Sequence, residues 1–452
     1  MTAGSLDRAE LGQAAAQGLS LTRIFAVAIG NALEFYDFLT FSLFAVQIGH
    51  CFFPEEQTKH GLLFTLATFG TGFATRPLGG IVIGFFGDRA GRKPAMILSF
   101  LLMGAAIMGL VLTPTYASIG FAAPVLLVLF RLLQGFALGG EVGPSTAFLV
   151  EAAPAHRRAF YVAFQAATQS LAIVLAGLIG LILSTQLDPA LLDAWGWRIA
   201  FLAGAAIIPV GLLIRRTLPE TLHAVEHAPK PAGGQRVSIR LVVASMLILC
   251  AGTIGSYTLI YMTTYAQDSL HLSPVEAFGI TTVIGVCAIA GGLSGGLLAD
   301  RIGRRPVMLI SAGTLVVMTI PIFFGMSRYP GVATVYGGAA LLALLHGLLS
   351  PPLLSTLSES LPRAARSGVF GTVYAVTIAT FGGSAQYVMK QLAEVVGATS
   401  FTTDWLGDLG SSRMVPGWYL TTALLLGLIG IALIRESAPV KTAALEEAPT
   451  LL

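Results

Sequence analysis

Gly87-Asp-Arg-Ala-Gly-Arg-Lys-Pro94 is followed, one half-chain later, by Ala299-Asp-Arg-Ile-Gly-Arg-Arg-Pro306. Asp88 to Asp300 and Arg92 to Arg304 span the same interval. A second pair, Glu151-Ala-Ala-Pro-Ala-His-Arg-Arg158 and Glu359-Ser-Leu-Pro-Arg-Ala-Ala-Arg366, repeats at nearly that interval. Basic anchoring would account for the Lys and Arg residues. It does not account for Asp, the central Gly and the closing Pro recurring at equal spacing. The chain therefore reads as two similar halves in the same orientation, an arrangement suited to rocking about a central site.

The segments between these motifs are too apolar for a water-soluble protein. Of 452 residues, 55% are hydrophobic and 11% charged, with a mean hydropathy of +0.80. A soluble domain carries ~25% charged residues, so the bilayer is the expected partner and solvent. Spanning helices need ~20 apolar residues. Twelve stretches qualify: 22–50, 60–86, 94–112, 120–149, 159–185, 197–216, 240–266, 275–299, 306–327, 332–357, 367–396 and 414–435. The expected fold is thus an all-α membrane protein of two six-helix bundles. Its parts are a tail over 1–21, bundles over 22–216 and 240–435, a polar linker over 217–239, and a tail over 436–452.

Basic residues give the orientation. With both ends inside, inner segments carry Arg89, Arg92 and Lys93; Arg157 and Arg158; Arg215, Arg216, Lys230, Arg236 and Arg240; and Arg301, Arg304 and Arg305. The outer loops hold only Lys59, Arg328 and Arg413. That asymmetry follows the positive-inside rule and places both termini in the cytoplasm. The net charge of +3 is too small to suggest nucleic acid, and Cys51, Cys250 and Cys287 form neither a metal pattern nor a disulfide framework. No metal site and no cofactor beyond a coupling proton is expected. Gly291-Gly-Leu-Ser-Gly-Gly296 lacks the strand and downstream acid of a nucleotide site.

Charges at membrane depth carry the chemistry. A lone carboxylate there costs ~2.5–3.5 kcal/mol on the lenient insertion scale, so it faces the bundle interior or a water-filled cavity. Asp37 and Glu34 lie three apart on one face of the first span. Burial favours the protonated carboxyl and a nearby Arg the ionised one, so a group alternating between such surroundings moves a proton. Asp37 is the first candidate, then Glu34, with Arg131 of the fourth span as counter-charge; the alternative is a permanent ion pair of Arg131 with either acid. Arg76, in the second span, presents a planar fork that matches a carboxylate. It is the first candidate for anchoring an anionic substrate, unless it pairs with Glu34 or Asp37. Further polar candidates are Asn31, Tyr36, Gln165, Gln169, Tyr257, Tyr261, Tyr374 and Gln386, each equally explicable as an interhelical hydrogen bond. Arg198 and Lys390 sit near the outer face, where interfacial anchoring competes with substrate contact. His346 reads as a packed histidine.

These residues resemble the major facilitator superfamily. Gly87 to Pro94 is similar to its signature loop, Arg131-Leu-Leu-Gln-Gly-Phe-Ala-Leu-Gly-Gly-Glu141 to its fourth-helix motif, and Leu218-Pro-Glu-Thr221 to the motif closing its sixth helix. Gly30-Asn31-Ala-Leu-Glu34-Phe-Tyr-Asp37-Phe38, Arg76-Pro-Leu-Gly-Gly80, Trp195-Gly-Trp-Arg198 and Phe381-Gly-Gly-Ser-Ala385 resemble its metabolite:proton symporter branch. That branch implies proton-coupled uptake of citrate or tricarballylate, α-ketoglutarate, shikimate, or proline and betaine. Gln165 to Val174 and Pro416-Gly-Trp-Tyr419 look most like the citrate type, while Phe381 to Tyr387 leans toward the α-ketoglutarate permease. The resemblance implies a bacterial inner-membrane symporter importing a small carboxylate together with protons, expected as a monomer and not an enzyme. It also implies gating ion pairs from Asp88, Arg92, Glu151, Asp300, Arg304 and Glu359.

Overall fold

The computed structural model describes residues 32, 35–54, 60–90, 92–139, 153–205, 238–360, 366–398 and 407–438. Its helices follow the expected spans closely. The first half comprises α1 (35–43), α2 (Ala45–Phe52), α3 (Gly61–Ala74), α4 (Arg76–Ala90), α5 (Arg92–Leu112), α6 (Ala122–Leu138), α7 (Arg158–Gln186) and α8 (Trp197–Ala205). The second comprises α9 (Ile239–Thr264), α10 (Pro274–Ile302), α11 (Arg304–Arg328), α12 (Val332–Ser360), α13 (Arg366–Thr377), α14 (Gly383–Gly397) and α15 (Val415–Leu433). Each of the twelve apolar stretches holds at least one of these helices. By length and composition alone, six described helices can cross a membrane. The expected linker lies almost wholly outside the described residues.

Some spans read as continuous are broken, for identifiable reasons. The second divides at Thr75, just before Arg76-Pro77. Proline lacks the N–H that would continue the ladder, so the helix is weakened there; Thr75 Oγ1 instead donates to Leu132 O of α6 at 2.6 Å. The eleventh contains a π turn at Ile378–Gly382 between α13 and α14, and α9 ends in another at Tyr265–Ser269. Such wide turns are common at functional positions.

Small residues set the helix crossings, as packing within lipid requires. A Cβ on Gly135 would lie 1.7 Å from Gly72 O, so only glycine lets α6 lie this close to α3. The halves meet along α7 and α10, where a Cβ on Gly296 would stand 2.8 Å from Ala163 Cβ. Aromatic side chains fill the interface: Phe44 lies 4.7 Å from Phe278, and Phe73 5.4 Å from Tyr257, between ring centroids. Leu78, Ile81, Phe121 and Ile239, in contrast, point their apolar side chains outward, as a lipid-facing surface does.

Candidate functional site

The break at Thr75 puts Arg76 at the first position of α4, partly exposed, with its guanidinium carbon 4.3 Å from the Phe38 centroid and 4.2 Å from that of Phe73. Arg131 comes up from α6, one turn before the Gly135 crossing. It is fully buried, and its guanidinium carbon stands 4.7, 4.4 and 5.2 Å from the Phe38, Phe41 and Phe69 rings. Its Nη1 donates to Gln134 Oε1 at 2.8 Å and its Nη2 to Phe69 O at 3.2 Å. Across the interface, the Tyr257 hydroxyl of α9 is within hydrogen-bonding reach of Arg76 and close enough to Arg131 to feel its charge. Tyr374 of α13 lies close enough to Arg76 to feel its charge.

No described carboxylate pairs with either arginine, and the Nε atoms of both lack a partner. Aromatic faces attract a guanidinium but accept its N–H groups only weakly. Two like charges at the centre of an apolar bundle leave N–H donors over, and a ligand with carboxylate oxygens matches them in geometry and sign.

Asp37 lies elsewhere than the expected counter-charge pairing puts it. It is 3% exposed and faces α8, so close that a Cβ on Gly204 would stand 1.8 Å from its Oδ1. Among the described residues Asp37 has no cationic partner, and its Oδ1 has no hydrogen bond. One residue along α1 turns the side chain by about 100°, so Phe38 meets the arginines while Asp37 meets α8. The Asp37–Arg131 pair is therefore not formed. Tyr36 also turns to α8, its hydroxyl donating to Ala200 O at 2.9 Å, which removes it from the arginine site. Glu34 and Asn31 lie outside the described residues.

Arg198 and Lys390 are likewise engaged away from the arginine pair. Arg198 donates from Nε to Val111 O at 3.1 Å and from Nη2 to Thr113 O at 3.0 Å, and stacks 4.1 Å from the Trp197 centroid. It clamps the end of α5 to α8. Lys390 Nζ bonds both carboxylate oxygens of Asp268, at 2.9 and 2.8 Å. Tyr261 is buried and feels Asp268 and Glu394, toward that same end. Gln165 is buried in α7, with Gln169 half-buried one turn on. His346 shares a 2.9 Å hydrogen bond with Ser256.

At the basic end, Asp300 spans the halves. Its two oxygens accept from Ala159 N at 3.1 Å and Phe160 N at 2.9 Å, capping the positive N-terminus of α7. Arg304 is fully buried between Asp300, at 2.9 Å, and Glu359, at 3.3 Å. Gly303, at φ +106°, makes the turn that allows this. Arg304 stands between the two carboxylates, so neither Asp300 nor Glu359 is an isolated charge. Glu436, unmarked by any pattern beyond following the last span, was missed: it accepts from Arg304 N at 2.9 Å and Arg305 N at 3.0 Å, capping α11. Residues 436–438 are thus docked, although the sequence reads 436 as the start of a tail. Glu151 and the side chains of Asp88 and Arg92 lie outside the described residues.

Paired helical halves around a central polar site, joined at the basic end by the Asp300 carboxylate on the N-terminus of α7, are the arrangement of a multi-pass membrane transporter. Residues 25–386 match the family model of the Major Facilitator Superfamily, and the chain belongs to that superfamily. It is 32% identical to a citrate-proton symporter of Salmonella typhi over 417 residues, covering 91% of this chain and 93% of that one. It is 35% identical to the alpha-ketoglutarate permease of Escherichia coli K12 (84% and 89% covered), and 29% to that strain's proline/betaine transporter (92% and 83%). In fold it resembles a crystal structure of a D-xylose-proton symporter, with a TM-score of 0.69 at 17% identity, over 89% of this chain and 96% of that one.

Proposed function

We propose that this transporter is a bacterial inner-membrane symporter that imports a small polycarboxylate, citrate or a related tricarboxylate, together with protons. The observation that carries the reading is the Arg76–Arg131 pair, two guanidiniums at the interface of the halves without a described carboxylate partner. Similarity to the citrate-proton symporters supports the tricarboxylate; that to the alpha-ketoglutarate permease keeps a dicarboxylate as the second reading.

In this mechanism the cargo's carboxylates take the arginine N–H groups, with the Tyr257 hydroxyl contributing from the second half. A multiply negative cargo moves inward against the membrane potential, at ~2.3 kcal/mol per charge per 100 mV. Protons must offset that charge. Asp37 takes up a proton most readily where it is dry and unpaired, and releases it where α1 exposes it to water. Because α1 also carries Phe38, a shift of the helix that rehydrates Asp37 moves the ring on which both guanidiniums rest. The basic end is assigned to the cytoplasm, where the Asp300, Arg304 and Glu359 cluster must open to release cargo. Glu34, Asp88, Arg92 and Glu151 keep their expected roles in coupling and gating.

The test is uptake of radiolabelled citrate, tricarballylate, α-ketoglutarate, succinate and betaine into proteoliposomes, with and without an inwardly directed proton gradient. Gradient-stimulated uptake of a tricarboxylate is expected. Uptake of betaine and of no carboxylate would overturn the reading.

A further inference from the structure

The halves also meet through two uncharged contacts that neither the arginine site nor the basic cluster uses. Ser42 Oγ of α1 donates to Gln386 Oε1 of α14 at 2.8 Å. Gln47 Nε2 of α2 donates to Gln267 Oε1, in the π turn that ends α9, also at 2.8 Å. Ser42, Gln47 and Gln386 are all buried. Both contacts are incomplete: Gln386 Nε2 and Gln47 Oε1 are buried without a hydrogen-bond partner.

Their position relative to the arginine site follows from helix geometry. Ser42 lies four residues beyond Phe38, on the same face of α1. Gln386 lies one turn beyond Gly383, where a Cβ would touch Phe73 at 3.0 Å, and Phe73 carries Arg76. The Ser42–Gln386 contact therefore stands about one turn from the arginines, on the side away from Asp300, and Gln47–Gln267 lies roughly two to three turns along α1–α2 and α9 in the same direction. Further out, Lys390 holds Asp268, and His60 Nδ1 lies 2.9 Å from Glu394 Oε2, in partly exposed pairs that solvent weakens.

We infer that Ser42–Gln386 and Gln47–Gln267 form the gate at the end opposite the basic loops, an uncharged clasp that opens by wetting. Each closed contact leaves one amide atom unsatisfied, and such an atom recovers its lost hydrogen bonding when water enters. The closed seam thus contains its own tendency to open, and its two amide contacts have no charge to separate; the His60–Glu394 pair that also crosses this end is solvent-screened. At the basic end, both oxygens of Asp300 are engaged, and opening breaks charged hydrogen bonds instead. The inference needs only a transporter that alternates between its two ends; it holds whatever the cargo.

The clasp makes single and double replacements differ in sign. Ser42→Ala alone leaves a fully unsatisfied amide, and the seam wets more readily. Ser42→Ala with Gln386→Met removes donors and acceptors together, and the seam dries. The experiment is hydrogen–deuterium exchange of the full chain in lipid nanodiscs, without substrate, following peptides over 35–54 and 383–398. The single variant is expected to exchange about fivefold faster than the parent, and the double variant more slowly than the parent. Gln47→Leu, alone and with Gln267→Met, repeats the comparison independently should either variant of the first pair fail to fold. Shifts of the same sign in single and double variants, or no shift in either pair, would overturn the inference.

Discussion

Arg76 and Arg131 rest on one ring: their guanidinium carbons stand 4.3 and 4.7 Å from the centroid of Phe38. Two like charges held by a single aromatic group from a third helix are seated jointly, and what moves α1 moves both. The consequences can be measured at each participant.

Phe38→Leu keeps an apolar side chain but removes the face shared by the guanidiniums. With each cation–π contact worth ~0.5–2 kcal/mol, KM for the carboxylate cargo should rise about tenfold while the thermal transition stays within a few degrees of the parent. Initial uptake rates over a concentration series check this, and an unchanged KM would remove Phe38 from the site.

Arg76→Lys retains the charge and discards the planar fork. A fork-to-carboxylate match predicts a rise in KM of about tenfold or more. A counter-ion role predicts little change, because charge alone would suffice. The same uptake series separates the two.

Asp37 offers a pair of variants. Asp37→Asn should abolish gradient-driven accumulation yet permit counterflow exchange. Gly204→Ala places a methyl where Oδ1 of Asp37 now sits, 1.8 Å from the added carbon. It should weaken accumulation in the same way and destabilise the fold by about 1–3 kcal/mol. Full accumulation by Asp37→Asn would exclude this carboxylate from coupling.

Asp300→Asn weakens a charged cap on α7 and leaves the Arg304 guanidinium with a single described carboxylate partner, Glu359. Caps contribute about 1 kcal/mol, so in a chain of this size the melting temperature should fall by about 1–2 °C. Faster exchange of backbone amides over 158–165 should accompany it. Glu436→Gln tests the second cap in the same assay, with the effect centred on residues 304–308.

Much of this was legible in the chain itself. Hydropathy and the duplicated Asp-Arg-x-Gly-Arg motif determine the spans, the two halves and the superfamily, because each depends on local composition and spacing. What the sequence could not determine is the rotation of each helix about its own axis and what lies across from it. Asp37 and Phe38 are neighbours, yet about 100° of helix turns one toward Gly204 and the other toward two arginines. Lys390 reads as an interfacial anchor or a substrate contact until Asp268, far away in the chain, closes on it; Glu436 reads as tail until it caps α11. Tertiary packing alone decided these partnerships, since the free energy of a buried charge depends on which groups surround it in space.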